Sequence, residues 1–125
     1  MDYVWVGLGG LVGANARYGM TKLMVARFGD SLPWGTFAIN MLGSFVIGIL
    51  LTTLSERVVA DPAIRLVLVV GFLGAFTTFS SYTFEAIALA EAGRWAQAIA
   101  YVVGSNGLGL LFCAAGMYLA RHVAA

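Results

Sequence analysis

Four long apolar stretches alternate with short polar connections along the chain, at about residues 3–26, 34–54, 63–90 and 95–120. A bilayer-spanning helix needs about 20 mostly apolar residues, so the pattern predicts an all-α membrane protein. Its four transmembrane helices form a single domain over 1–125. The connections carry turn chemistry: Phe28-Gly29-Asp30-Ser31-Leu32-Pro33, then Ser55-Glu56-Arg57-Val58-Val59-Ala60-Asp61-Pro62, then Glu91-Ala92-Gly93-Arg94. Pro33 and Pro62 each stand where a helix can open. Trp34, Trp95 and Tyr118 suit the aromatic belts at the membrane interfaces.

The third stretch departs from a uniform apolar span. Gly71 and Gly74, then Thr77-Thr78, then Ser80, Ser81 and Thr83 interrupt it. Glycine and threonine weaken a helix, and short hydroxyls compete for its backbone groups. The 11 residues of 63–73 would make only about 16 Å of helix, too short to cross alone. Two half-helices are therefore expected to meet mid-membrane, where free backbone groups are tolerated only inside protein or beside a cavity. By default such a break is a functional site.

Polar residues inside the other stretches fall on shared helix faces. Thr36 and Asn40 are four apart, as are Tyr101 and Ser105, the latter followed by Asn106, Gly107 and Gly109. The first set can join helices by hydrogen bonds or serve a site, and the second can line a path or let helices approach closely. Phe79 and Tyr82 are three apart and share a face, consistent with packing or with a site. Gly9 and Gly13 form a small-xxx-small pair for close helix approach, and Gly43, Ser44 and Gly48 mark a second such face. Lys22 can snorkel to the interface. Arg17 lies deeper, as a headgroup anchor or facing a water-filled cavity.

Composition agrees with the pattern: 61% of residues are hydrophobic and 10% charged, against about 25% charged in soluble domains. A net charge of +1 without a basic cluster argues against nucleic-acid binding. The lone Cys113 permits no intrachain disulfide and reads as a packing residue, and His122 as an interfacial one. Asp2 and the lack of a basic segment before the first apolar stretch argue against a removed signal peptide. With four spans, Arg57, Arg65 and Arg121 share one side, and Arg17, Lys22, Arg27 and Arg94 the other. Three against four is almost no orientation signal under the positive-inside rule. The chain is expected to insert both ways and to pair as an antiparallel dimer, since four short helices do not easily enclose a polar path.

Three motifs, in order, carry a resemblance. They are Gly9-Gly10-x-x-Gly13-Ala14-x-x-Arg17-Tyr18, Gly35-Thr36-x-x-x-Asn40-x-x-Gly43-Ser44-Phe45-x-x-Gly48, and Gly71-x-x-Gly74-x-x-Thr77-Thr78-Phe79-Ser80. Together they resemble the Fluc, or CrcB, fluoride channels over the whole chain. The resemblance implies a passive, fluoride-selective channel in the prokaryotic plasma membrane, exporting fluoride from the cytoplasm and so conferring fluoride resistance. It implies an antiparallel dual-topology homodimer with two pores and one central structural sodium ion, held by the backbone carbonyls of Gly74 and Thr77 of both subunits. Hard oxygen ligands suit such a cation.

The same resemblance assigns the pore. Asn40 offers amide donors, and Thr36, Thr78, Ser80, Ser81 and Ser105 offer hydroxyls that rotate toward an anion. Phe79 matches the first ring of the family's phenylalanine box, which presents an electropositive edge. Three residues on, the family usually has phenylalanine, and this chain has Tyr82. Tyr101 and Ser105 match the family's polar track, which stops at Gly109 where a hydroxyl can occur. Arg17 would make a vestibule electropositive, and Glu85 would sit near a pore mouth, although its residue type fits a proton-carrying carboxylate equally well.

The main rival is a proton-coupled exporter of the small multidrug transporter type, which also uses four helices in dual-topology dimers. That rival needs a carboxylate in its first span, and residues 3–26 contain none. A purely structural membrane module would leave the broken helix without a purpose. An enzyme is disfavoured: there is no metal-ligand cluster, nucleophile-base pairing or phosphate loop, and Gly7-x-Gly9-x-x-x-Gly13 is not a dinucleotide fingerprint.

Overall fold

A computed structural model describes residues 1–56 and 61–123. Arg57, which entered the charge count, and the middle of the second connection lie outside the described residues. Every regular element described is helical: α1 Asp2–Phe28, α2 Trp34–Glu56, α3 Pro62–Arg65, a π-helical segment Leu66–Leu73, α4 Gly74–Phe76, α5 Ser80–Glu91 and α6 Trp95–Val123. Trp34–Glu56, Pro62–Glu91 and Trp95–Val123 are long and apolar enough to cross a membrane, by length and composition. These make the chain a multi-pass membrane protein.

The turns follow local chemistry. Gly29 and Gly93 take positive φ, 78° and 77°, a region open to glycine at little steric cost. Asp61 caps the third helical stretch, its carboxylate accepting the Ala63 N–H at 2.9 Å with Pro62 at the first position.

Packing proceeds in two pairs. α6 lies along α2, and α1 lies along the π-helical segment and α4. Both contacts are made by glycine. A Cβ on Gly9 would stand 2.0 Å from the Val67 carbonyl oxygen, and one on Gly13 would stand 2.2 Å from that of Phe72. Gly48 and Gly116 play the same part between α2 and α6, against the carbonyls of Cys113 and Phe45. Without a hydrophobic drive between helices in lipid, such backbone approach supplies the packing. Ile39, Leu73 and Phe76 form one buried cluster, and Tyr82, Ala86, Leu89, Ala98 and Tyr101 another.

The two glycines at the interruption do not stop the helix. Helical backbone runs on through Phe76, Thr77 is extended at φ −78° and ψ 156°, and helix resumes at Ser80. Gly71 instead serves close approach, for a Cβ there would lie 2.5 Å from the Val6 carbonyl oxygen. Tertiary contact outweighs intrinsic propensity. The π-helical segment before it, a form frequent at functional sites, has no counterpart in the apolar pattern.

Candidate functional site

The backbone that leaves α4 at Phe76 and enters α5 at Ser80 passes through three non-helical residues, and side chains from two other helices hold it. Asn40 of α2 meets Thr78 at both ends of its amide: Oδ1 accepts the Thr78 N–H and Nδ2 donates to the Thr78 carbonyl, each at 2.9 Å. In an unbroken helix that N–H would serve the Gly74 carbonyl; here it is turned to Asn40. From α1, Arg17 Nε donates to the Ala75 carbonyl at 3.1 Å. A guanidinium at the last carbonyls of a helix matches both their free lone pairs and the negative end of the dipole. The Thr78 hydroxyl takes the Ser81 N–H at 3.3 Å and lies 3.1 Å from the Ser81 hydroxyl, meeting one N–H of the first turn of α5. Thr77 folds back, its hydroxyl donating to the Leu73 carbonyl at 2.8 Å.

Two clefts flank this crossing. One, of about 370 Å³, is lined by Arg17, Tyr18, Thr21, Thr36, Thr78, Ser81 and Glu85, with Ala14 and Ile39. Across it the buried Thr36 donates to Glu85 Oε1 at 2.6 Å. Glu85 also lines a neighbouring cleft of about 260 Å³ with Asp30, Ser31 and Arg94 of the turns, so it stands between the interior and the connections. The other side of the crossing opens on a cleft of about 320 Å³ formed by Asn40, Gly43, Ser44, Ile47, Leu73, Thr77, Thr78 and Phe79. Thr78 borders both main clefts.

Further along α5 the aromatic rings form a chain. Phe79 and Tyr82 have centroids 5.7 Å apart, and Tyr82 meets Tyr101 of α6 edge-on at 5.3 Å. Phe79 is 75% exposed whereas Tyr82 and Tyr101 are buried. The Tyr101 hydroxyl lies beside Thr36, whose own hydrogen is on Glu85, and Ser105 Oγ is buried without a hydrogen-bond partner among the described residues.

Arg17, Thr36, Thr78, Ser81 and Glu85 thus share one cleft, Asn40, Thr77, Thr78 and Phe79 another, and Tyr82 and Tyr101 pack together between α5 and α6, with Ser105 one turn beyond Tyr101 on α6. Ser80 and Gly74 are exposed and line neither main cleft. Tyr18 and Thr21 line the first cleft, although the sequence marks neither for the site. Thr21, four after Arg17 and three after Tyr18, joins both on the helix surface, and that spacing was the available signal. Asn106 is visible as a polar residue beside Ser105, but only the structure gives it a partner, donating to the Tyr82 hydroxyl at 2.7 Å. Among the described residues no three His, Cys, Asp or Glu side chains gather to hold a metal ion.

Comparison with known proteins bears on what these clefts serve. The family profile described as CrcB-like protein, Camphor Resistance (CrcB), matches residues 4–117. A protein of Chloroflexus aurantiacus is 46% identical over 116 residues, covering 93% of this chain and 92% of that one. One of Acidobacterium capsulatum is 42% identical over 125 residues, the whole of both chains, and one of Koribacter versatilis 46% identical over 105 residues, 84% of this chain and 83% of that one. All three bear the name fluoride-specific ion channel FluC. The chain belongs to the CrcB family.

Proposed function

We propose that the protein is a fluoride-selective passive channel that releases fluoride from the cytoplasm across the plasma membrane and so protects the cell from it. Four spans cross the bilayer, α1 being the fourth beside the three apolar stretches, and the interruption at Thr77–Phe79 lies at membrane depth. The observation that carries this reading is the convergence of a guanidinium and three hydroxyls, from Arg17, Thr36, Thr78 and Ser81, on one cleft against that interruption. The names of the full-length relatives agree with it.

A small, strongly hydrated anion sheds water only where donors replace it. Arg17 draws anions into the vestibule by its field while its Nε holds the Ala75 carbonyl out of their way. Thr78 and Ser81 present hydroxyls that can turn toward the ion. Asn40 keeps one amide hydrogen beyond the one that Thr78 takes. Beyond the crossing, the exposed edge of Phe79 offers the positive rim of a ring. Ser80, Tyr82, Tyr101 and Ser105 continue the path.

The functional unit is an antiparallel homodimer with two pores. Sodium, bound by the Gly74 and Thr77 backbone carbonyls of both subunits, would supply fixed positive charge where the two interruptions meet without being transported. Neutral carbonyl oxygens freed at a helix end are the right chemistry for it.

The test is anion efflux from liposomes holding the purified protein, with potassium and valinomycin setting the voltage and no proton gradient. Fluoride release without chloride release is expected. A folded dimer that releases no fluoride but takes up a cation against protons would replace this reading with the exporter.

A further inference from the structure

Tyr82 carries a hydroxyl beyond the ring that its place in the aromatic chain requires, and α6 meets that hydroxyl with Asn106. Asn106 Nδ2 lies 2.7 Å from the Tyr82 hydroxyl and 2.8 Å from the Val102 carbonyl oxygen. A carbonyl only accepts, so the side-chain atom between these partners is the amide nitrogen and the orientation of the amide is fixed by chemistry. Both of its hydrogens are then engaged, one on Val102 and one on Tyr82. The Tyr82 oxygen is an acceptor toward Asn106, and its own hydrogen, which lies in the ring plane, is held on the side away from the amide. No residue among those described takes that hydrogen.

The surroundings make this more than a packing detail. Tyr101, 8% exposed, meets the Tyr82 ring edge-on with its hydroxyl beside Thr36, and Ser105 Oγ is buried without a partner among the described residues. Buried hydroxyls left unpaired are rare and costly. Here one such hydroxyl, that of Ser105, adjoins Asn106 in the chain, and the exposed Phe79 ring continues the row of Tyr82 and Tyr101.

We propose that Asn106 is a positioning residue which, by donating to the Tyr82 hydroxyl, makes Tyr82 a hydrogen-bond donor to the permeating anion alongside Tyr101 and Ser105. The inference rests on the fluoride-channel reading and adds a donor that a phenylalanine at position 82 would lack. Asn106 itself does not touch the ion.

The experiment measures fluoride efflux from liposomes for the wild type, Asn106→Asp, Asn106→Leu and Tyr82→Phe, and for each Asn106 change combined with Tyr82→Phe. Asn106→Asp places an acceptor against the phenol and turns its hydrogen back, so flux is expected to fall on the order of tenfold, the effect of one well-placed hydrogen bond. Asn106→Leu leaves the hydroxyl free to rotate and is expected to lose less. In the Tyr82→Phe background neither change should reduce flux further. A readout independent of flux is the tyrosine ring doublet in the Raman spectrum, taken as the wild-type minus Tyr82→Phe difference. Added fluoride should move the wild type toward the donor signature, and Asn106→Asp should show that signature without fluoride.

Wild-type conduction with unchanged flux in Asn106→Asp would overturn the inference alone. So would an equal loss in the Tyr82→Phe background, or a doublet indifferent to fluoride. A wild type that passes no fluoride overturns the channel reading and this inference together.

Discussion

At Asn40 the amide oxygen accepts the Thr78 N–H and the amide nitrogen donates to the Thr78 carbonyl, both at 2.9 Å, which leaves the second amide hydrogen over. The residue therefore braces the crossing, and on the channel reading it would face the path as well. Asn40→Asp keeps an acceptor for the N–H, sets a carboxylate oxygen against the Thr78 carbonyl, and removes every donor. Fluoride flux should fall on the order of tenfold or more, and the melting temperature in detergent should fall with it. Asn40→Ala should cost about 1–3 kcal/mol of stability through the unpaired Thr78 groups. Flux and melting both near wild type in Asn40→Asp would remove the residue from both roles. In the sequence Asn40 stands out as an amide among apolar neighbours, so its importance is legible there. Its bracing role is not, because the partner lies 38 residues away on a non-helical backbone that no spacing rule addresses. The same holds for Arg17, whose contact with the Ala75 carbonyl spans 58 residues.

Among the elements, glycine decides how closely helices lie. A Cβ on Gly48 would come 2.3 Å from the Cys113 carbonyl oxygen, and one on Gly116 2.2 Å from that of Phe45, both backbone atoms that cannot turn aside. Gly104 and Gly107, on the same α6, have nothing within 4 Å of an added Cβ. Gly48→Ala and Gly116→Ala should therefore each force α2 and α6 apart and destabilise by about 1–3 kcal/mol, as overpacking does. Gly104→Ala and Gly107→Ala should leave stability unchanged or raise it slightly, by helix propensity alone, where those faces stay open. Thermal melting of the four variants in one detergent separates the pairs, and equal losses in all four would show that the α2–α6 approach does not depend on these contacts. The small-xxx-small spacing of Gly9 and Gly13 makes close packing legible from residue spacing alone. Gly71 and Gly74 are harder, since the same residue type weakens a helix or lets one approach another, and only the neighbour decides. Gly71 has the Val6 carbonyl against it, and the helix continues. The π-helical turns were illegible for the same reason: Leu66–Leu73 is uniformly apolar apart from Gly71, and a shift from four to five residues between bonded groups leaves no mark on such a run.

For the whole molecule, one chain alone leaves its most informative surface uncovered. Phe79 is 75% exposed, Gly74 and Ser80 are exposed, and the cleft of Asn40, Gly43, Ser44, Thr77 and Phe79 opens outward. Asn40 meets both Thr78 groups, Leu73 the Thr77 N–H and Thr83 the Phe79 carbonyl; facing hydrocarbon, any group of this interruption left over would have no water to satisfy it, a condition lipid does not tolerate. A second copy seated on this face would cover it and complete the path from both sides. The seven Lys and Arg residues, divided three and four between the two sides under four spans, give insertion no preferred direction, so the two copies are expected to enter in opposite senses. An epitope tag placed after Ala125 should then be accessible from each side of sealed membrane vesicles in comparable amounts, while permeabilised vesicles show all of it. Moving the balance should move the outcome. Replacing Arg94, whose side chain reaches the Ser31 carbonyl at the turns, would also disturb that contact, so the added charge belongs at the chain's end instead. Three lysines placed after Ala125 should collect the tag on one side and, by depriving the population of opposed partners, lower fluoride flux per chain. Returning flux when that variant is co-expressed with one biased the other way would establish antiparallel pairing. A wild-type tag found on one side only, in vesicles that conduct fluoride, would exclude it.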